Sequence, residues 1–293
     1  MKEIISYLYN INVYKEFYFN KQLILKTRNT NYLYQEITEP KKVLYIYNLI
    51  QSVNSYKFFC YKFERNIFNE VISKYNDITF VIIDIKNDYK ETIDLDDMLS
   101  LYVDSQKILF NRINYNNNWD LLWENKINYL TNHFNNNKLL NKNYELVFNY
   151  YISIAEISLE YLLFSKKKYK PNNIASFVHR RIKIPNIKLD FFNPLNFIID
   201  LEIRDISEYI KILYYKNDDY ETELDYYLKT HHLDMYLASL LYARIIYPSC
   251  FFDDYESKNI DINKFVDFIS YEKFIKKIYD LISSYIPIDK INF

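Results

Sequence analysis

The chain contains no glycine in its 293 residues, whereas an average protein of this length has roughly twenty. Glycine takes positive φ angles most easily, so the left-handed turn positions here must be filled by asparagine, aspartate or a strained residue. The asparagine-rich stretches Asn114–Asn118 and Asn135–Asn137 are the predicted places for such turns. A glycine-rich loop that cradles phosphates with its backbone amides cannot be built from this chain.

The heavy use of 33 tyrosines and 21 phenylalanines points to the cause. These residues, like Asn, Ile and Lys, have A/T-rich codons, so an AT-rich genome is the simplest explanation for the missing glycine. Hydrophobic residues make up 49% of the chain, which is enough for a sizeable core and argues against disorder.

Charge and cysteine content narrow the class of protein further. A net charge of −1 creates no overall field that would attract nucleic acid. The chain has neither a signal-peptide pattern nor a run of 18 uncharged apolar residues, so we expect cytoplasmic synthesis and no membrane span. Cys60 and Cys250 lie far apart without metal-binding spacing; two reduced thiols are expected, and a disulfide is the alternative.

The first ninety residues are predicted to form a sheet with one helix. Strands are expected at 13–19, 22–26, 31–37, 58–63, 69–74 and 79–85, and a helix at 41–52. Asn20 and Lys21 predict a tight turn between the first two strands. The β-branched run Thr79–Ile85 is typical of a strand buried on both faces.

Helical periodicity dominates the rest of the chain. Helices are expected at 119–134, 144–164, 221–228, 234–246 and 262–286, and one more that begins at Asp205. Asp205 as N-cap and Glu208 three residues later resemble a capping box. Residues 174–203 are predicted to be extended. The fold class is therefore α+β, with a strand-rich lobe at 1–88 and a helical lobe at 89–293 that contains the loop segment 174–204.

Two clusters of polar residues are more simply structural than functional. His231 and His232 stand near Asp234, but adjacent histidines diverge on a helix and no third ligand is suitably spaced. Asp234 is instead expected to cap the next helix. The basic run Lys166–Lys170 suits a solvated helix end, with a docking patch as the alternative.

One extended segment carries residues that could do chemistry. His179, Arg180 and Arg181 are followed by Asn186 and, after an apolar run, by Asp200. In phosphotransferases of the kinase fold, an aspartate in the catalytic loop accepts the substrate hydroxyl proton, and an asparagine and a later aspartate hold Mg²⁺ against the phosphates.

The chain resembles the spore-coat-associated kinase-like proteins of spore-forming Firmicutes, the CotS/YutH group, which are relatives of aminoglycoside phosphotransferases. The likeness is carried in order by Trp119 and Trp123, by 150–162, by Val178–Arg181 with 198–210, and by 241–256. The resemblance implies a two-lobed, protein-kinase-like fold and a protein associated with the spore coat.

The resemblance also assigns roles by position. His179 matches the catalytic-loop histidine, Asn186 and Asp200 match the two metal-binding and nucleotide-binding residues, and Asp205 matches the acidic residue that caps the next helix. Arg181 stands at the catalytic aspartate position, and arginine cannot accept a proton. The expectation is that Arg181 instead forms a buried ion pair with Asp200 or Glu202.

The amino-terminal lobe departs from a working kinase as well. Besides the glycine-rich lid, it lacks a lysine in the third strand, 32–37, and a glutamate in the helix at 41–52. These departures predict a pseudokinase without a cofactor, and the resemblance to coat-associated proteins implies that it acts by protein–protein contact in spore coat assembly. The alternatives are retained Mg-ATP binding, an active small-molecule phosphotransferase with a rearranged site, and nucleic-acid binding through Lys166–Lys170, which the neutral net charge disfavours.

Overall fold

A computed structural model describes residues 2–51, 60–109, 115, 117–136, 142–171, 174–182, 187–257 and 261–290. Its contacts group the chain into two compact units. The first unit combines Met1–Ile113 with Ala175–Ile199, and the second combines Asn114–Ile174 with Asp200–Phe293. The predicted lobe boundary between residues 88 and 89 stays a prediction.

The first unit is built on an antiparallel sheet of the strands β1 Lys15–Phe19, β2 Gln22–Lys26, β3 Asn31–Glu36, β4 Lys62–Phe63, β5 Ser73–Tyr75 and β6 Ile78–Ile85. The strand order is β1-β2-β3-β6-β4, and β5 also pairs with β6. The helices of this part are α1 Lys2–Tyr9, α2 Pro40–Gln51 and α3 Leu95–Leu109. The sheet and α2 were predicted, whereas α1 and α3 were not.

The apolar run of β6 forms the centre of the sheet. Phe80, Val81, Ile82 and Ile83 are all completely buried, which confirms that both faces of this strand are covered. Helix α1 covers one face, where Ile5 packs in the same cluster as Phe80 and Ile82.

Asparagine takes the backbone conformations that glycine usually fills. Positive φ angles occur at Asn10, Asn20, Lys21, Asn69, Asn76 and Asn217. Asn20 and Lys21 join β1 to β2, as predicted. The predicted strand at 69–74 is wrong over its first residues, because Asn69 is left-handed and β5 begins only at Ser73.

The asparagine-rich stretches are not turn sites in their described parts. None of the positive φ angles lies at residues 117, 118, 135 or 136; residues 114, 116 and 137 lie outside the described residues. Asn117 instead accepts a hydrogen bond at 2.9 Å from the backbone N–H of Trp119, at the start of the next helix.

The second unit is helical. Its helices are α4 Trp119–Asn136, α5 Lys142–Lys168, α7 Ile203–Lys216, α8 Tyr220–Thr230, α9 Met235–Ile246, α10 Ser249–Glu256 and α11 Phe268–Tyr285, with α6 Lys188–Phe191 belonging to the first unit. Asp234 caps α9 as predicted, since its carboxylate accepts from the Leu237 N–H at 2.8 Å. Helix α10 was not predicted, and the helix expected from Ile262 begins at Phe268 after a short 3₁₀ turn.

Helix α9 is the core of this unit and packs against α5, α7 and α11. By length and composition, the stretch Met235–Glu256 could cross a membrane, but 78% of its most apolar window is buried inside the protein. Burial of this kind is typical of a core helix, and the stretch is divided into α9 and α10. Cys60 and Cys250 are both free thiols, so the disulfide alternative is wrong.

Candidate functional site

The segment singled out in the sequence forms a two-stranded sheet of β7, Ser176–His179, and β8, Phe197–Asp200. The prediction of extended structure up to Leu189 is wrong at its end, because Lys188 begins the short helix α6. Asn186 lies outside the described residues, so its metal-binding role stays a prediction.

His179 ends β7 and is 4% exposed. Its Nε2 donates a hydrogen bond at 2.8 Å to the backbone carbonyl of Phe191, and its ring stacks on the Phe191 ring at 4.4 Å between centroids. The imidazole therefore joins β7 to α6 and holds the loop between them.

Arg181, at the catalytic aspartate position, has an exposed side chain. The expectation that Arg181 is buried is therefore wrong, and its pairing with Asp200 or Glu202 stays a prediction. A basic partner of Asp200 is Arg204, four residues later, at 2.7 Å. A single turn of chain after β8 brings this guanidinium back to the carboxylate.

Asp200 is held by four hydrogen bonds. Its Oδ1 accepts from the Tyr115 hydroxyl and, at 2.8 Å, from the Leu201 N–H. Its Oδ2 accepts from Trp119 Nε1 at 2.9 Å and from Arg204 Nη1 at 2.7 Å. A carboxylate offers about four acceptor positions, so these four donors use all of them. The side chain is also buried.

The groups around Asp200 are themselves buried and stacked. The Arg244 guanidinium lies 4.4 Å from the centre of the Trp119 ring, and Trp123 stacks at 4.2 Å on Tyr247. Burial and, after it, the charge of Arg204 together lower the pKa of Arg244 to about 10, against the opposing effect of Glu208. Burial, followed by the charge of Asp200, raises the pKa of Tyr115 above its ordinary value.

The helix after β8 begins earlier than predicted. Glu202 is at the N-cap position of α7 and makes no capping bond through its side chain; its carboxylate accepts from the Tyr227 hydroxyl at 2.9 Å. Asp205 is the third residue of α7 and only 1% exposed. The prediction of Asp205 as the N-cap is therefore wrong.

Glu208, predicted to complete the capping box, is part of a buried ion cluster instead. Its carboxylate accepts from Lys211 Nζ at 3.0 Å and Ser249 Oγ at 2.7 Å. Lys211 is 1% exposed and also donates to the backbone carbonyls of Arg244 and Tyr247, at 3.1 and 3.0 Å. Burial would raise the pKa of Glu208, but Lys211 and Arg244 outweigh it and lower the pKa to about 2.

In the first unit, the β1–β2 hairpin and the next strand, β3, are each tied to the segment after β7. In the hairpin, Gln22 donates to the Asp190 carboxylate at 2.7 Å; in β3, the Gln35 side chain accepts from Asn193 at 2.9 Å. The hairpin lies at the start of the sheet, before the third strand, where kinases carry the loop that covers the phosphates. In this chain, the Gln22–Asp190 hydrogen bond holds the hairpin against α6 of the same unit.

A comparison with protein-family models matches residues 2–278 to the family described as "Spore coat putative kinase YutH". The chain belongs to this YutH spore-coat kinase family. The resemblance stated from the sequence is therefore confirmed. A comparison with curated protein sequences gives no match.

Solved structures similar to this member of the YutH family are phosphotransferases. An aminoglycoside phosphotransferase from Alicyclobacillus acidocaldarius aligns with a TM-score of 0.62 and 9% identity, over 97% of this chain and 95% of that one. Spectinomycin phosphotransferase, solved with ADP and spectinomycin, aligns at 0.57 and 10%, over 96% and 97%. Amicoumacin kinase, solved with AMP-PNP, Ca²⁺ and Ami, aligns at 0.51 and 10%, over 95% and 92%.

These alignments confirm the predicted α+β, aminoglycoside-phosphotransferase-like fold. The metal that such a fold implies does not suit Asp200, because protein donors already use its acceptor positions. Among the described residues, no group of three His, Cys, Asp or Glu side chains is placed to hold a metal ion.

Sequence reasoning missed the partners of Asp200. Arg204 could have been found, since its i+4 spacing in the sequence is typical of an ion pair near a helix start. Tyr115 and Trp119 could not, because they are some eighty residues away and only the tertiary fold brings them to Asp200.

Proposed function

We propose that this protein is a pseudokinase that acts through contacts with other proteins during assembly of the spore coat. The observation that carries the proposal is the environment of Asp200. A Mg²⁺ ion at this carboxylate would have to displace donors such as Trp119 Nε1 and Arg204 Nη1 from a buried site. Breaking a buried ion pair leaves an uncompensated charge, which is costly.

The catalytic-loop residues support the same proposal. Arg181 cannot accept a proton from a substrate hydroxyl. His179 is used to join β7 to α6 through the Phe191 carbonyl. Both residues lie in the segment that forms the catalytic loop of a working phosphotransferase, so both observations argue against catalysis.

The amino-terminal hairpin adds a third line of support. Strand β3, Asn31–Glu36, contains no lysine and helix α2, Pro40–Gln51, contains no glutamate, so the ion pair that positions phosphates in kinases is lacking. Asp190, held by Gln22, places a negative charge at the hairpin, which is unfavourable for a phosphate nearby.

Coat association and protein partners are proposed from the family. The family description names the spore coat, so we infer synthesis in the cytoplasm followed by incorporation into the coat. Contact with other coat proteins needs no nucleotide and no metal, which agrees with the chemistry at Asp200.

An active small-molecule phosphotransferase is the second candidate. The observation that favours it is the fold, since the spectinomycin and amicoumacin enzymes were solved with ADP and with AMP-PNP and Ca²⁺. For this chain the candidate requires Tyr115, Trp119 and Arg204 to release Asp200 when nucleotide binds.

A thermal-shift titration with Mg-ATP and Mg-ADP tests the two candidates. The pseudokinase proposal predicts no change in melting temperature up to millimolar nucleotide, whereas binding of ligand to the folded state would raise it. The isosteric variant Asp200→Asn is the control. A concentration-dependent shift in the wild type that Asp200→Asn removes would refute the proposal and favour the phosphotransferase.

A further inference from the structure

The carboxylate of Asp200 is buried beside a side chain that carries a positive charge. Arg204 Nη1 lies 2.7 Å from Asp200 Oδ2, and the side chains of Arg204 and Asp200 are only 17% and 6% exposed. The other hydrogen bonds to this carboxylate come from neutral donors of Tyr115, Trp119 and Leu201. A buried carboxylate requires a compensating cation, and here the chain itself supplies one.

The position of Arg204 in the chain fixes this contact. Asp200 ends β8 and Arg204 is the second residue of α7, so one turn of chain separates them. The Arg204 N–H donates to the Leu201 carbonyl at 3.0 Å, and the Arg204 carbonyl accepts from Ser207 Oγ at 2.7 Å. Because the backbone is held through both groups and the guanidinium is planar, the donor is preorganised at Asp200 Oδ2.

A second guanidinium lies close to this ion pair. The Arg244 guanidinium is 4.4 Å from the centre of the Trp119 ring, whose Nε1 donates to Asp200. Arg244 Nη2 also lies 3.4 Å from Glu208 Oε1, so Arg244 is held by the ring and by its own carboxylate. With Arg204 in place, a metal ion at Asp200 would add positive charge beside two buried guanidinium groups, which is unfavourable.

We propose that Arg204 is the resident cation of this site and takes the place of a metal ion at Asp200. The inference rests on the proposed function and deepens it, because it names the side chain that keeps metal from the carboxylate. Metal binding at Asp200 is then blocked and not lost. Without the guanidinium, Asp200 Oδ2 regains an acceptor position, and Mg²⁺ and Ca²⁺ bind to carboxylate and water oxygens.

A titration of the melting temperature with MgCl₂ or CaCl₂ tests the proposal. Arg204→Met keeps a side chain of similar length and removes the charge and the donors. The melting temperature of this variant should rise with metal concentration into the millimolar range, because a ligand that binds the folded state stabilises it. The wild type should respond no more than it does to sodium chloride at the same ionic strength. A variant that metal does not stabilise, or a wild type that it does, overturns the proposal.

Further variants locate the effect. Arg204→Lys retains a cation and should stay insensitive to metal, and adding Asp200→Asn to Arg204→Met should abolish the rise. Lys229→Met is the matched control: Lys229 also pairs with a carboxylate at a spacing of four residues, that of Asp225, but these side chains are 60% and 31% exposed. It should gain no response to metal. A rise in Lys229→Met equal to that in Arg204→Met, or a rise that survives Asp200→Asn, overturns the proposal.

A double-mutant cycle without metal covers the possibility that Arg204→Met folds poorly. Each of Arg204→Met and Asp200→Asn leaves one buried charge without its partner, whereas the double variant removes both charges. The fall in melting temperature of the double variant should therefore be smaller than the sum of the two single falls. If Arg204→Met alone has no cooperative transition, the double variant should regain one. Additive falls, or a double variant that stays unfolded, overturn the proposal.

These measurements contain no nucleotide, so this inference and the proposed function can fail separately. An Arg204→Met variant that does not respond to metal contradicts the inference and leaves the pseudokinase proposal unchanged, because that proposal concerns the wild type. A wild type that is stabilised by Mg-ATP but not by metal alone refutes the pseudokinase proposal and leaves Arg204 as the resident cation of the free protein.

Discussion

At the scale of single residues, the surroundings of Asp200 decide what its carboxylate can do. A metal ligand needs free lone pairs on a carboxylate. In this chain Tyr115, Trp119 and Arg204 direct their donors at the same two oxygens. The aspartate then ties α4 and α7 to the end of β8, which is a structural task that has no need of nucleotide.

Glu208 gives a pH-dependent prediction at the same scale. Its pKa is lowered from 4.5 to about 2 in the folded protein, because Lys211, Arg244 and Ser249 outweigh the effect of burial. The unfolded state therefore binds the proton more readily below about pH 4.5, and stability decreases as the pH falls from there towards about 2. The contribution of Glu208 is fully present above that window.

Urea unfolding at several pH values can measure this contribution. Glu208→Gln should destabilise the protein near pH 7, because it leaves the Lys211 amine buried without its charged partner. The difference in unfolding free energy between wild type and variant should shrink as the pH falls below about 4.5. Glu124→Gln, at an exposed position of α4, is the control. A difference that stays constant down to pH 2 would contradict this assignment.

At the scale of secondary-structure elements, the missing glycine leads to a prediction for α7. Asn217 ends this helix with a φ of 59°, and its N–H bonds to the carbonyls of Leu213 and Tyr214. Glycine is preferred at such left-handed helix ends, because other residues place Cβ close to the backbone. Asn217→Gly should therefore raise the free energy of unfolding by roughly 0.5–1 kcal/mol.

Chemical denaturation of two variants checks the prediction for α7. Asn217→Ala should lower stability by roughly 1 kcal/mol, because alanine has the Cβ but lacks the polar side chain that lets asparagine tolerate this conformation. Opposite signs for glycine and alanine are expected. Equal effects of the two substitutions on the free energy of unfolding would show that the left-handed backbone at residue 217 does not determine which residue is most stable there.

Local patterns predicted the elements that local physics determines. Strand β6 and the turn at Asn20 and Lys21 could be predicted from the sequence. A strand buried on both faces is a continuous apolar run, and a two-residue turn has a characteristic residue pair, so both are visible in consecutive residues. Helix α1 was not, because eight residues carry only two helical turns and its stability comes from packing Ile5 and Tyr9 on the sheet. Tyr115 and Trp119 could not be predicted as partners of Asp200 for the same reason, because only tertiary contacts bring them together.

At the scale of the whole molecule, the chain passes between its two compact units three times. The first unit therefore includes segments far beyond residue 88. Lys188 Nζ lies within 3.2 Å of both Asp88 and Glu91, and the Tyr61 N–H donates to the Phe192 carbonyl at 3.0 Å. These contacts tie residues beside the strands β4 and β6 to residues roughly 100 to 130 positions later in sequence.

This organisation predicts how an isolated amino-terminal piece behaves. A fragment of residues 1–88 ends before α3 and lacks 175–199, so it loses the chain segments that pack on the sheet. We expect no cooperative thermal transition for this fragment by circular dichroism, because a domain of that size buries too little apolar surface when parts of its core are removed. The control joins residues 1–113 to 175–199 through a flexible linker and should unfold cooperatively. Cooperative unfolding of 1–88 alone would instead support the lobe boundary expected from the sequence, with the later segments packing on a sheet that is already stable.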